Sequence, residues 1–239
     1  MLGISFDVMS VVLGGLFGNI LNKKLRLDTD ELNKVFGICS IVMGIISVTL
    51  IKNMPPVILA VVLGTVCGSI LKLKERICQC GGLLYRFVNR LKILGSSNTA
   101  LHNESILETA IILFCFSGTG IYGCLDAALA NNQTILLTKS ILDLFTAMIF
   151  ACTLGGVVAI IALPQAIIFL LLYGIAAGLA PLVTADMLAD FKACGGILLI
   201  ATGCRISKIQ DFPISDMLPA MILVFPFSAF WSHVILPYI

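Results

Sequence analysis

The chain has 239 residues, 59% of them hydrophobic and only 12% charged, with a formal net charge of +2 and a mean hydropathy of +1.08. A soluble domain of this length is about half apolar and about a quarter charged. The composition therefore excludes a chain built mainly of water-soluble domains, and the reading is an all-α integral membrane protein whose main partner is the lipid bilayer rather than nucleic acid. At roughly 20 residues per span plus short loops, the length holds about eight transmembrane helices. The first apolar stretch starts at Met1 without a basic leader, so it is expected to stay as a helix rather than be cleaved.

Hydropathy places these spans at residues 4–22, 34–51, 55–72, 105–129, 134–154, 156–181, 194–208 and 217–238. The first carries Val11-Val12-Leu13-Gly14-x3-Gly18-x-Ile20-Leu21, and the third repeats it as Val61-Val62-Leu63-Gly64-x3-Gly68-x-Ile70-Leu71. Glycines at this spacing let another backbone approach closely, within the chain or in a homo-oligomer. Asp7 reads as interfacial, and Asn19 and Asn22 as helix contacts or end caps. The second span carries Gly37-Ile38-x2-Ile41-x2-Gly44, which recurs in the seventh as Gly196-Ile197-x2-Ile200-x2-Gly203. An acidic loop precedes each copy, with Asp186 and Asp190 before the second. Spans one to three and six to eight are thus expected to be inverted copies, an arrangement found in secondary transporters.

Residues 72–94 are basic with apolar positions at helical spacing, and read as an amphipathic helix on the inner surface. It either anchors the bundle or offers a docking surface or gate. Residues 95–104 form a connector that divides residues 1–94 from the membrane helices of residues 105–239. Gly118, Gly120 and Gly123 cluster in the fourth span with Ser117 and Thr119 between them, and Asp126 follows. This is where an unwound or kinked segment is expected, since small polar residues can rebond freed backbone groups.

The fifth span carries Lys139 and Asp143, one helical turn apart and able to face each other. Lys139 lies ~8 Å from the outer end and can snorkel, whereas Asp143 lies ~14 Å in, too deep for its short side chain to reach headgroups. An ionisable group at that depth is costly unless it faces a partner or a cavity. Either the two form a structural ion pair, or they bind a substrate or proton together with Asp126. In the sixth span, Pro164-Gln165 marks a kink, with Gln165 bonded to a neighbouring helix.

Chemistry of other kinds has little support. The nine cysteines fall mostly in apolar runs, where Cys acts as a small hydrophobe. Cys78-Gln-Cys80 is a faint metal or redox signal better explained by packing. His102 and His233 sit far apart, and no nucleophile–base set or phosphate loop is visible, so neither an enzyme nor a cofactor is expected. Of the 15 Lys and Arg residues, a cytoplasmic first loop leaves only Lys52 and Lys192 outside and Lys139 within the membrane. Both termini then face outside.

The chain resembles the YqgA-like bacterial membrane proteins, the domain of unknown function 554 family, over nearly its whole length. The resemblance rests on Phe114-Cys115-x2-Gly118, Gly123-x2-Asp126, Thr138-Lys139-x3-Asp143, Gly155-Gly156 and Leu218-Pro219-Ala220. Ala127 stands where the family usually has Gly, and Gly118-Thr119-Gly120 departs from its usual Gly-Pro-like stretch. The resemblance implies a multi-pass bacterial inner-membrane protein and supplies no substrate. The expected function is a secondary transporter or carrier of a small ion or polar solute. Its site would be Asp143, Lys139 and Asp126 with Ser117, Gly118, Thr119, Gly120, Gly123 and Thr138. The alternative is a structural or regulatory protein in which Lys139–Asp143 is a buried brace.

Overall fold

The computed structural model describes residues 1–21, 29–77, 79–80, 83 and 104–238. The amphipathic reading of residues 72–94 and the connector up to residue 103 lie for the most part outside the described residues. The long elements are α1 (Leu2–Leu21), α2 (Thr29–Val48), α3 (Met54–Ile70), α4 (Glu104–Cys115), α5 (Gly118–Leu129), α6 (Thr134–Leu154), α7 (Val157–Leu179) and α8 (Ala185–Ile206). A short α9 (Ile214–Met217) and α10 (Ala220–Phe230) follow, and α10 runs on through a π turn at Trp231–Ile235.

Among the described residues, six helical stretches are long and apolar enough to cross a membrane: Leu2–Ile20, Ala110–Leu129, Thr134–Cys152, Val157–Leu182, Ala185–Ile206 and Ile214–Ile235. The second and third expected spans correspond to shorter apolar helices, Lys34–Val48 and Met54–Ile70. The largest departure from the hydropathy reading is α8, which starts at Ala185 rather than near residue 194 and so takes in the expected acidic loop. Asp186 sits in its first turn, where the helix dipole favours an acid, and the Thr184 hydroxyl caps the Met187 N–H. Asp190 can enter the helix because its charge is fully met by donors.

The helices form two compact units, Met1–Thr29 with Ile77–Ile175, and Asp30–Arg76 with Ala176–Ile239. In the first, α1 lies between α6 and α7. Asp7, Val11, Gly14 and Gly18 recur at helical spacing, and all four are buried. Gly14 meets the Leu144 carbonyl and Ala147, and Gly18 meets the Met148 carbonyl and Ala151, so α1 and α6 run parallel. On its other side, a Cβ at Gly15 would lie 2.6 Å from the Ala159 amide nitrogen of α7. Gly14, Gly15 and Gly18 thus bring α1 into backbone contact with both neighbours, the close approach that dispersion-driven membrane packing needs. Leu107, Ile111 and Phe114 of α4 complete this core, with the Phe114 ring edge-on to Phe150 at 6.1 Å. The α6–α7 turn passes through Gly155 at φ 73° and ψ −159°, a conformation open essentially to glycine alone.

In the second unit, the two Gly-Ile motifs mesh with each other. Gly37 packs against Gly203, and Gly44 against Gly196, so α2 and α8 are antiparallel and each motif's first glycine faces the other's last. The Ser40 hydroxyl donates across this contact to the Leu199 carbonyl at 3.0 Å. Helix α3 uses Gly64 against Ala220 and Gly68 against the Asp216 carbonyl. The matching glycines of α1 and α3 therefore serve the same purpose, close approach to a neighbouring backbone. Asp190 ties this unit together. Its Oδ1 accepts the backbone N–H groups of Lys52 (3.0 Å) and Asn53 (2.7 Å), and its Oδ2 accepts Asn53 Nδ2 (3.1 Å) and the Ser228 hydroxyl (2.6 Å).

Candidate functional site

Span four is broken where its small residues fall. Helix α4 ends at Cys115, and α5 restarts at Gly118 after Phe116 and Ser117. Ser117 is extended and its hydroxyl accepts the Gly120 N–H at 3.1 Å, which meets one of the donors exposed at a helix start. The break thus precedes the glycine cluster, and Gly118, Thr119 and Gly120 form the first buried turn of the new helix. A Cβ at Gly120 would lie 3.1 Å from Lys139 Cε and 2.5 Å from the Phe169 ring, so only glycine lets this turn lie on the lysine stem. Gly123 performs the same service against Leu136 and Ile135.

Lys139 and Asp143 face each other on α6 and form a direct ion pair. Lys139 also lies 3.5 Å from Asp7 Oδ2 and 5.7 Å from the centroid of the Phe169 ring. Gln165 of α7 closes the group: its Nε2 donates to Asp7 Oδ2 at 2.8 Å and approaches Asp143 Oδ2 at 3.5 Å. Four side chains from α1, α6 and α7 therefore converge, and all are buried, Asp7 and Gln165 completely. Antiparallel packing of α1 on α7 makes this possible, since the Gly15–Ala159 contact sets the register that carries residue 7 to residue 165.

The charges of this group do not balance. Asp7 and Asp143 bring two carboxylates against the single ammonium of Lys139. Asp7 Oδ1 and Gln165 Oε1 are both buried and lack a hydrogen-bond partner. An acceptor left so costs about 1–3 kcal/mol, and more when it carries charge. The groove alongside, lined by Phe6, Met9, Leu13, Leu137, Ile141 and Leu144, is apolar. Ser10 and Ser140 on its wall spend their hydroxyls on the backbone of their own helices.

Of the expected site residues, Lys139 and Asp143 meet directly, and Gly120, with Ser117 as its cap, lies against the lysine stem. Thr138 points its hydroxyl back to the Thr134 carbonyl at 2.9 Å. Asp126 is buried on α5, and its carbonyl accepts the Ala130 and Asn132 N–H groups that end the helix. Asp7 enters the group in place of the interfacial role read from sequence, and Gln165 bonds to a neighbouring helix as expected, with Asp7 as its partner. The signal for Asp7 was present: it shares one helical face with Gly14 and Gly18, and its equivalent in the 50-residue repeat is the buried Val57.

Six apolar helical stretches of spanning length among the described residues, with a cluster of ionisable side chains buried inside one unit, define an all-helical integral membrane protein. The chain belongs to the family described as protein of unknown function DUF554, whose model matches residues 2–229. It is 39% identical over 236 residues to the uncharacterized protein YqgA of Escherichia coli K12, covering 97% of each chain. It is 28% identical over 230 residues to the uncharacterized membrane protein YdfK of Bacillus subtilis 168, covering 93% of each. No solved structure matches.

Proposed function

We propose that the chain is a secondary carrier of a small cation or polar solute across the bacterial inner membrane, not an enzyme. Asp143, Lys139, Asp7 and Gln165 form its binding site, in a closed state. One observation carries the reading: the cluster holds one more acid than base and leaves two acceptor oxygens unpartnered. A group that serves only to hold helices together gains nothing from that imbalance. Intramembrane ionisable residues mark substrate and ion pathways, and broken helices beside them supply the polar ends that such sites use. The break before α5 lies next to the lysine stem of this cluster. The antiparallel meshing of two like Gly-Ile motifs supports an inverted-repeat construction, and the placement of Lys and Arg supports termini on the outer side.

The brace is the second reading, favoured by the direct Lys139–Asp143 ion pair and its burial. Thermal stability in detergent separates the two, because a solute that binds the folded state raises apparent stability by mass action. A screen of monovalent cations and small zwitterions against wild type is expected to give a concentration-dependent rise in melting temperature that Asp143→Asn abolishes. If instead no solute shifts the melting temperature of wild type, and Asp143→Asn alters only the stability of the fold, the pair is a brace.

A further inference from the structure

Two buried carboxylates in this chain are held in opposite ways. Asp190 accepts four hydrogen bonds, two at each oxygen, from Lys52 N, Asn53 N, Asn53 Nδ2 and Ser228 Oγ. Nothing further can be offered to it, and it fixes the backbone just before α3. Asp7 is equally buried, yet one oxygen takes the Gln165 amide and the Lys139 ammonium while the other takes nothing. The unpartnered oxygen of Gln165 belongs to the amide already joined to Asp7. Both orphans are acceptors, so neither can satisfy the other. A hydrogen on Asp7 Oδ1 changes that: it converts one acceptor into a donor and gives Gln165 Oε1 a partner. The acid and the amide then hold each other by two bonds, Nε2–H to Oδ2 and Oδ1–H to Oε1.

The same hydrogen settles the charge. With Asp7 neutral, Lys139 and Asp143 are left as a balanced pair. Lys139 and Asp143 face Asp7 from α6, and the Cys124 thiol of α5 lies within electrostatic range; Cys115 of α4 is within range of Lys139 and Asp143. A metal cation is a poor substitute, because it would need several oxygen ligands and Lys139 lies 3.5 Å from Asp7 Oδ2. Among the described residues, no group of three or more His, Cys, Asp or Glu side chains is placed to hold a metal ion.

We propose that the ion this site takes up and releases is a proton, carried on Asp7 and held by Gln165. On loading, a proton from water at the membrane face forms the Oδ1–H bond and Asp7 becomes a neutral acid. On release that bond breaks, the electron pair stays on the carboxylate, and the proton returns to water. Lys139 stays an ammonium and Asp143 a carboxylate throughout. This assignment rests on the carrier reading for its purpose, but not for its chemistry.

Infrared difference spectroscopy of the full chain in lipid, recorded while pH is stepped at constant salt, tests it. The expected result is a carboxylic-acid C=O band that disappears as pH rises, is absent in Asp7→Asn, and moves to higher frequency in Gln165→Leu. Asp7→Asn has the shape of the neutral acid and is expected to fold. Should it fail to, the Gln165→Leu shift still identifies the band. Retention of the band in a folded Asp7→Asn, absence of any protonated carboxyl band in wild type, or loss of the band on adding sodium at fixed pH would each overturn the proposal. A band assigned to Asp7 in a chain that moves no solute would instead refute the carrier and leave the proton site standing.

Discussion

Lys139 is the one cation among the four side chains of the cluster, and its removal is the sharpest perturbation at the scale of single residues. Lys139→Met leaves Asp7 and Asp143 facing each other without compensation. It is expected to cost about 3–5 kcal/mol, read as a drop in thermal stability in detergent, with much of the loss recovered by adding Asp143→Asn. Ser228→Ala is the contrasting change. It removes one hydrogen bond to the Asp190 carboxylate, so it is expected to cost about 1.5–3 kcal/mol while leaving any solute-induced stabilisation intact. At this scale the sequence reveals only part of the site. Lys139 and Asp143 are legible because helical spacing alone brings them together. Asp7 and Gln165 are not, because their meeting depends on the register of α1 against α7. An acid five residues into a span looks interfacial until the glycines on its own face are counted with it.

Glycine contacts set the helix pairs, and they divide into two kinds. Gly14 and Gly18 touch backbone carbonyls of α6, whereas Gly174 of α7 has nothing within 4 Å of where its Cβ would stand. Gly18→Ala is therefore expected to separate α1 from α6 and lower stability by more than about 2 kcal/mol, as overpacking does in any dense interior. Gly174→Ala is expected to change stability by less than about 1 kcal/mol. A chemical-denaturation series on the two variants checks the contrast. Ser117→Ala tests the break in span four: loss of the cap on α5 is expected to cost about 1 kcal/mol. The break itself is legible as a cluster of glycines and small polar residues. Where α8 begins is not, because hydropathy counts Asp190 as a surface acid and cannot see the four donors waiting for it.

For the molecule as a whole, composition and charge placement carry most of the reading, since a chain this apolar with so few charges has few ways to fold. The orientation derived from Lys and Arg predicts that a cysteine at Asn132, in a background without native cysteines, reacts with an impermeant reagent added outside intact cells. One at Gln210 should not. The number of full-length spans is less legible, because α3 and the apolar part of α2 are short, and helix ends depend on caps and partners that hydropathy does not weigh. The central claim is that the charge cluster of α1, α6 and α7 carries a solute or ion across the membrane and is not a sealed brace. Its most direct test is flux into proteoliposomes loaded with a pH-sensitive dye, with inward gradients of monovalent cations and small polar solutes imposed in turn. The account predicts a change in internal pH or solute uptake with wild type that Asp143→Asn abolishes while the protein remains folded. Equal flux through wild type, Asp143→Asn and protein-free vesicles under every gradient would contradict it.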